Sequence, residues 1–136
     1  MVDISKFLTY VYEGREKLWA AVSHLFDSSG IRIYAAALVG LNLLDWLAAY
    51  RMNAQASQDL VVLHYNIDFG VNLIGAAGQI YMIPLLGSAL IIINFILVSF
   101  VFKKNRFLAH VLLGGGIFAN LILLLGTASI ALINFY

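Results

Sequence analysis

The sequence predicts an all-α membrane protein: three transmembrane helices, an N-terminal amphipathic helix and a small extracytoplasmic β-hairpin. Three observations predict it. Apolar residues make up 62 % of the 136 residues and charged residues only 11 %, against about 25 % charged in a soluble domain. Three apolar stretches, about 33–50, 80–102 and 107–133, each approach or exceed the roughly 20 residues that span a hydrocarbon core at a 1.5 Å rise. Lys and Arg are crowded into alternate segments between those stretches, as a polytopic chain requires. Residues 1–30 form the N-terminal helical segment, and 31–136 the three-span domain with an outer loop at 51–79.

The first element is a helix over 3–26. Ile4, Leu8, Val11, Leu18, Val22 and Leu25 recur at alternating four- and three-residue steps, with Arg15 interrupting the stripe. Phe7, Tyr12, Trp19 and Phe26 widen it. Asp3 is the expected N-cap, and Ser28, Ser29 and Gly30 the expected stop. Interfacial helices are usually rich in Lys and Arg. Here Asp3, Glu13, Glu16 and Asp27 balance Lys6, Arg15 and Lys17, so attraction to anionic lipid is weak. Three placements stay open: lying in the cytoplasmic interface, docking on a partner protein, or packing beneath its own bundle.

The spans follow. Lys6, Arg15, Lys17 and Arg32 precede the first, and Lys103, Lys104 and Arg106 separate the second from the third. Only Arg51 lies between the first and second. Cytoplasmic loops hold the excess of Lys and Arg. The expected topology is therefore N-terminus in, loop 51–79 out, turn 103–106 in and C-terminus out, in a bacterial inner membrane. Trp46, Tyr50, Tyr81, Phe135 and Tyr136 mark the outer boundaries. The first span starts some thirty residues in and reads as a signal anchor rather than a cleaved peptide. Pro84 falls in the first turns of the second span, where a missing N–H costs least. The short basic turn makes the second and third spans an antiparallel pair.

Between the first two spans, 51–59 reads as a polar linker. Residues 60–66 and 69–74 read as a hairpin, with turn character around Asn66 to Gly70. Asn66 and Gly70 suit left-handed backbone positions. His64, Tyr65, Asn66 and Asp68 are the polar and aromatic residues of this loop, and Gly75 closes it. The structural reading is that His64, Tyr65 and Asn66 hydrogen-bond the hairpin and its turn; the alternatives are a partner contact or a metal site. A metal site needs three or four converging ligands, and His110 lies towards the opposite membrane face.

The run His64-Tyr-Asn-Ile-Asp-Phe-Gly70, continued by Val-Asn-Leu-Ile-Gly75, resembles the His-Tyr-Asn-x-x-Phe-Gly-x-x-Leu-Ile-Gly loop of a group of small, uncharacterised three-span bacterial membrane proteins. The likeness extends through Ile93-Asn-Phe-Ile-Leu97 to the basic turn and covers about 33–133. His64, Asn66 and Gly70 are also similar to the Pro-x-His-x-Asn-x-x-Gly element of the Sdp-type immunity protein domain, although Val62 stands at the proline position and Gly70 falls one residue beyond the glycine position. The first resemblance implies architecture and location but no activity. The second implies an envelope immunity or sensing role.

Polar residues inside the spans are costly in lipid and are the natural candidate site. Asn42 and Asp45 share a face of span one with Ala35, Leu38 and Ala49. Asn94 lies in line with Gly87 on span two. Asn120 lies with Gly116, Thr127 and Ala131 on span three. Counting 1.5 Å per residue from the apolar onsets puts Asn42 and Asn94 at ~13 and ~12 Å, and Asp45 and Asn120 at ~18 and ~20 Å. Asn120 is thus the expected partner of Asp45. Interhelical hydrogen bonding, self-association and an ion or proton pathway are the open roles. Gly114, Gly115 and Gly116 with Ala119 form a small-residue surface for helix packing, and Gly115 and Ala119 satisfy small-xxx-small.

Catalytic signatures are missing: no nucleophile elbow, no His-Glu-x-x-His and no cysteine. No Lys-Ser/Thr follows the glycine triplet, so it is not a phosphate loop. The expectation is a non-enzymatic membrane protein without cofactor, metal or nucleic-acid partner. Its partners would be the lipid bilayer and a membrane protein or a second copy of itself. A small oligomeric transporter or channel subunit is the alternative.

Overall fold

The computed structural model describes residues 4–56, 60–66, 68 and 70–135, apart from the side chains of Ser5, Phe7, Leu18, Ala21, Tyr65 and Asn66. Among them run α1 (Ile4–Leu25), α2 (Ser29–Gln55), β1 (Leu60–Asn66), β2 (Gly70–Ala76), a 3₁₀ helix (Ala77–Tyr81), α3 (Met82–Val101) and α4 (Arg106–Phe135). Three segments, Ser29–Gln55, Ala77–Val101 and Arg106–Phe135, are long and apolar enough to cross a membrane. They pack on one another as a three-helix bundle.

Helix α2 is longer than its apolar run. Ser28 is its N-cap, extended at φ −81° and ψ 123°. Ser29 and Gly30 therefore begin α2 instead of ending α1, and residues 26–28 alone make the corner. At the other end Arg51–Gln55, expected as linker, is helical. Good helix formers continue the ladder there, and Met52 is buried beside Ala49, Val61 and Ile80. The expected cap Asp3 lies outside the described residues.

Two apolar clusters hold the bundle. Leu25, Ile31, Leu38, Val98, Ala109 and Leu113 fill the end near the basic turn. Ala49, Met52, Val61, Ile80 and Ile130 fill the hairpin end. Polar and small residues of α2, α3 and α4 lie between them. The second half of α1 lies along α3: Leu25 is buried, Phe26 just after the helix stacks on Phe95 at 5.7 Å, and Arg15, Trp19 and Val22 share an open groove with Ile91, Ile92 and Ile96. Ile4, Leu8 and Val11 are exposed, and Trp19 is 72 % exposed. Beyond the corner, α1 rests beside α3 rather than beneath the bundle.

The expected hairpin is present, with its second strand displaced. β1 and β2 are antiparallel, from Leu60 opposite Ala76 to Asn66 opposite Gly70. Gly70 takes φ +72°, the only positive φ among the described residues, which glycine adopts without a Cβ clash. Gly75, expected to close the loop, lies with Ala76 inside β2. A Cβ on Gly75 would strike the Gln79 carboxamide and stand 2.5 Å from Leu63 Cδ1, so glycine lets the strand close over both. Register shifts flank His64. α4 is capped by Asn105, whose Oδ1 accepts from Leu108 N at 3.0 Å.

Candidate functional site

The polar stripe on α2 points inward as its spacing requires. Leu38, Asn42, Asp45 and Ala49 are all buried, and each meets a different level of the bundle. At the first level Asn94 Nδ2 donates to Leu112 O across the α3–α4 contact at 2.7 Å. The Asn94 amide lies against Gly116, where a Cβ would collide with it and sit 3.4 Å from Leu38 Cδ2. Gly116 thus makes room for a side chain of another helix.

At the second level three helices meet around Gly87. A Cβ there would stand 2.5 Å from Asn42 Nδ2 and 2.9 Å from Asn120 Oδ1. Asn42 Nδ2 donates to Pro84 O at 3.0 Å. That carbonyl sits in the first turn of α3 and takes the amide on its second lone pair. Ser88 Oγ donates to Asn42 Oδ1 at 2.8 Å, and Trp46 Nε1 donates to Ser88 Oγ at 3.2 Å. Trp46 stacks on Tyr81 at 5.9 Å. Asn120 Nδ2 donates within its own helix to Gly116 O at 3.0 Å.

At the third level Asp45 meets Thr127 of α4. Asp45 is 1 % exposed and Thr127 0 %. Asp45 Oδ1, Asp45 Oδ2 and Thr127 Oγ1 are buried and have no hydrogen-bond partner among the described residues.

The expected Asp45–Asn120 pair is therefore not made. Counted from the real start of α2 at Ser29, Asn42 lies ~20 Å along its helix; from Arg106, Asn120 lies ~21 Å; and from Val101 back, Gly87 lies ~21 Å. Asn42 and Asn120 share a level because α2 begins four residues before its apolar run, and Asp45 moves on to Thr127. The expected Asn42–Asn94 level fails for the same reason.

The glycine surface also needs correction. Gly116 faces the bundle, but a Cβ on Gly114 or Gly115 would meet nothing within 4 Å. Gly115 and Ala119 line an open apolar groove of about 310 Å³ between α3 and α4, with Asn94, Leu97, Val111 and Leu112 among its walls.

In the hairpin, His64 Nδ1 lies 2.6 Å from Asn72 Oδ1 on the opposite strand. With that oxygen as acceptor, Nδ1 carries the proton. Tyr65 pairs with Val71 and Asn66 with Gly70 along the backbone, and Asp68 sits in the turn. His110 is at the other end of the bundle, its ring 5.6 Å from that of Tyr34. Among the described residues no three His, Cys, Asp or Glu side chains come together as metal ligands.

Sequence reasoning passed over Ser88, Asn72, Asn105 and Asn134. Ser88 lies one turn after Pro84, a spacing that brings its hydroxyl to the helix's own carbonyl: Pro84 O, at 3.0 Å, is the alternative acceptor to Asn42 Oδ1 for its single O–H. Asn134 carried no such signal. Compared with protein-family models, curated proteins and solved structures, the chain matches none. Its function must be read from the arrangement itself.

Proposed function

We propose that this chain is a non-enzymatic integral membrane protein, an accessory or scaffold component of a bacterial envelope. It crosses the inner membrane three times and presents the hairpin outside and α1 at the cytoplasmic face. The observation that carries this reading is the apolar surface on the elements outside the bundle. Leu60, Val71, Leu73 and Ile74 of the hairpin are exposed, as are Ile4, Leu8, Val11 and Trp19 of α1. Contiguous exposed apolar side chains on such elements favour contact with another protein or a membrane. Meanwhile Asn42 and Asn94 spend their donors on carbonyls of neighbouring helices. Such bonds are typically worth about 0.6 kcal/mol and reach about 1.7 in membranes. They hold the bundle rather than line a path through it.

One observation favours a second reading, a small oligomeric transporter or channel subunit. It is the pair of unpartnered carboxyl oxygens of Asp45.

Site-specific photo-crosslinking in cells separates the two. A photoreactive residue at Leu73 should give a discrete protein adduct, and one at the lipid-facing Leu132 should not. Adducts confined to lipid at both positions, beside Asp45-dependent cation flux in liposomes, would establish the second reading.

A further inference from the structure

We propose that the open groove between α3 and α4 is the seam of a two-fold homodimer, closed by the same groove of a second copy, with the two Asn94 amides hydrogen-bonded across it. This requires that α3 and α4 lie in the membrane, and it is independent of what the hairpin and α1 contact.

The groove is lined by α3 and α4 alone, and Asn94 is its one polar side chain. Around it Ile93, Leu97 and Val111 are exposed. Gly115 and Ala119, one helical turn apart, form the α4 wall, and a Cβ on Gly115 would meet nothing within 4 Å. Such a small-residue step lets a second backbone come close. By itself it does not name the occupant; Asn94 does. The side chain is only 8 % exposed, and one N–H of its amide is spent on Leu112 O at 2.7 Å. The second N–H and Oδ1 make no hydrogen bond among the described residues. Unlike the Asp45 oxygens, Asn94 Oδ1 is not sealed inside the bundle, and the groove is the opening that Asn94 lines.

In hydrocarbon no water answers an open amide, and an unanswered amide carbonyl is costly there. A lipid acyl chain fills apolar space but brings no donor. A second copy brings both halves of the bond. Copies in one bilayer share an orientation, so a two-fold axis along the membrane normal sets each residue at the depth of its counterpart. Asn94 then faces Asn94. A carboxamide is donor and acceptor at once and is therefore its own complement: each Nδ2 donates to the Oδ1 of the other copy. Gly115 and Ala119 meet their counterparts in the same contact. No charged side chain lines the groove, so like charges do not oppose the pairing.

The test places single cysteines in the full chain, which has none of its own, in liposomes. Oxidation with copper phenanthroline should join Gly115→Cys, and separately Ala119→Cys, into disulfide-linked dimers. Gly114→Cys and Leu125→Cys are also open to the surface but lie outside the groove, and they should stay unjoined. Energy transfer between donor- and acceptor-labelled chains, followed as the liposomes are diluted with lipid, measures the affinity. Alanine at 115 keeps that wall small, so leucine is the blocking residue. Ala119→Leu fills the groove without touching a hydrogen bond of the bundle and should abolish the transfer. Asn94→Leu should weaken the dimer roughly tenfold, the effect of losing two interhelical bonds. Equal disulfide formation at all four positions, none at 115 and 119, or transfer that Ala119→Leu leaves unchanged overturns the dimer. A parent chain that stays single at every dilution, its groove covered by lipid, also overturns it.

Discussion

Asn134, in the last turn of α4, grips the backbone of Val62 from both sides. Its Nδ2 donates to Val62 O at 2.8 Å, and its Oδ1 accepts from Val62 N at 2.9 Å. The carboxamide behaves as a one-residue strand laid along β1. It satisfies that edge and ties the hairpin to the third long helix. Asn134 Nδ2 also donates to Ile130 O at 2.8 Å, which holds the side chain in place. Beneath it Val61 and Ile130 are buried in the same apolar cluster.

Removing this clamp should free the hairpin without unfolding the bundle. Asn134→Leu deletes two backbone contacts worth about 0.5–1.5 kcal/mol each. The expected result is faster proteolytic cleavage within 60–76 with an unchanged helix signal in circular dichroism. Unchanged cleavage would show that Val61 and Ile80 dock the hairpin by themselves.

The glycines should divide into two classes. At Gly87 and Gly116 a methyl group runs into Asn42 and Asn94, both held by hydrogen bonds. Gly87→Ala and Gly116→Ala should each cost about 1–3 kcal/mol, as overpacking does. Gly114→Ala and Gly115→Ala meet open space and should be neutral or slightly stabilising, since alanine favours a helix. Melting of the four variants in detergent checks this. Equal losses at all four would mean that Gly114 and Gly115 pack against something outside the chain.

The turn makes a separate demand. Gly70 has φ +72°, a region that β-branched residues resist and asparagine tolerates. Gly70→Val should therefore raise proteolysis of the hairpin much more than Gly70→Asn. If the two variants are cleaved alike, the positive φ is not what holds the turn.

How much of this was legible varies from residue to residue. The three long helices announce themselves by apolar length, and the buried stripe Leu38, Asn42, Asp45, Ala49 by helical spacing. Gly70 was legible because few residues suit its backbone. The partner of Asp45 was not. Apolar onset marks where a helix could enter lipid rather than where it begins, and the four residues from Ser29 shift every level of the bundle by ~6 Å. Nor could the triplet Gly114 to Gly116 be resolved. Successive residues point about 100° apart on a helix, and only contacts with Asn94 and Leu38 single out Gly116. Asn134, Asn72 and Asn105 gain their roles only from the strand, the bulge and the helix start beside them, which no spacing in the sequence marks.

In the proposed topology the chain crosses the membrane three times, with the hairpin and the basic turn on opposite sides. The chain has no cysteine, so single cysteines report without background. Val71 in the hairpin and Asn105 in the basic turn are both exposed. Labelling of intact cells with a membrane-impermeant thiol reagent should modify Val71→Cys and leave Asn105→Cys unreacted until the cells are opened. Modification of Asn105→Cys in intact cells, with Val71→Cys protected, would invert the topology and contradict an outward-facing hairpin.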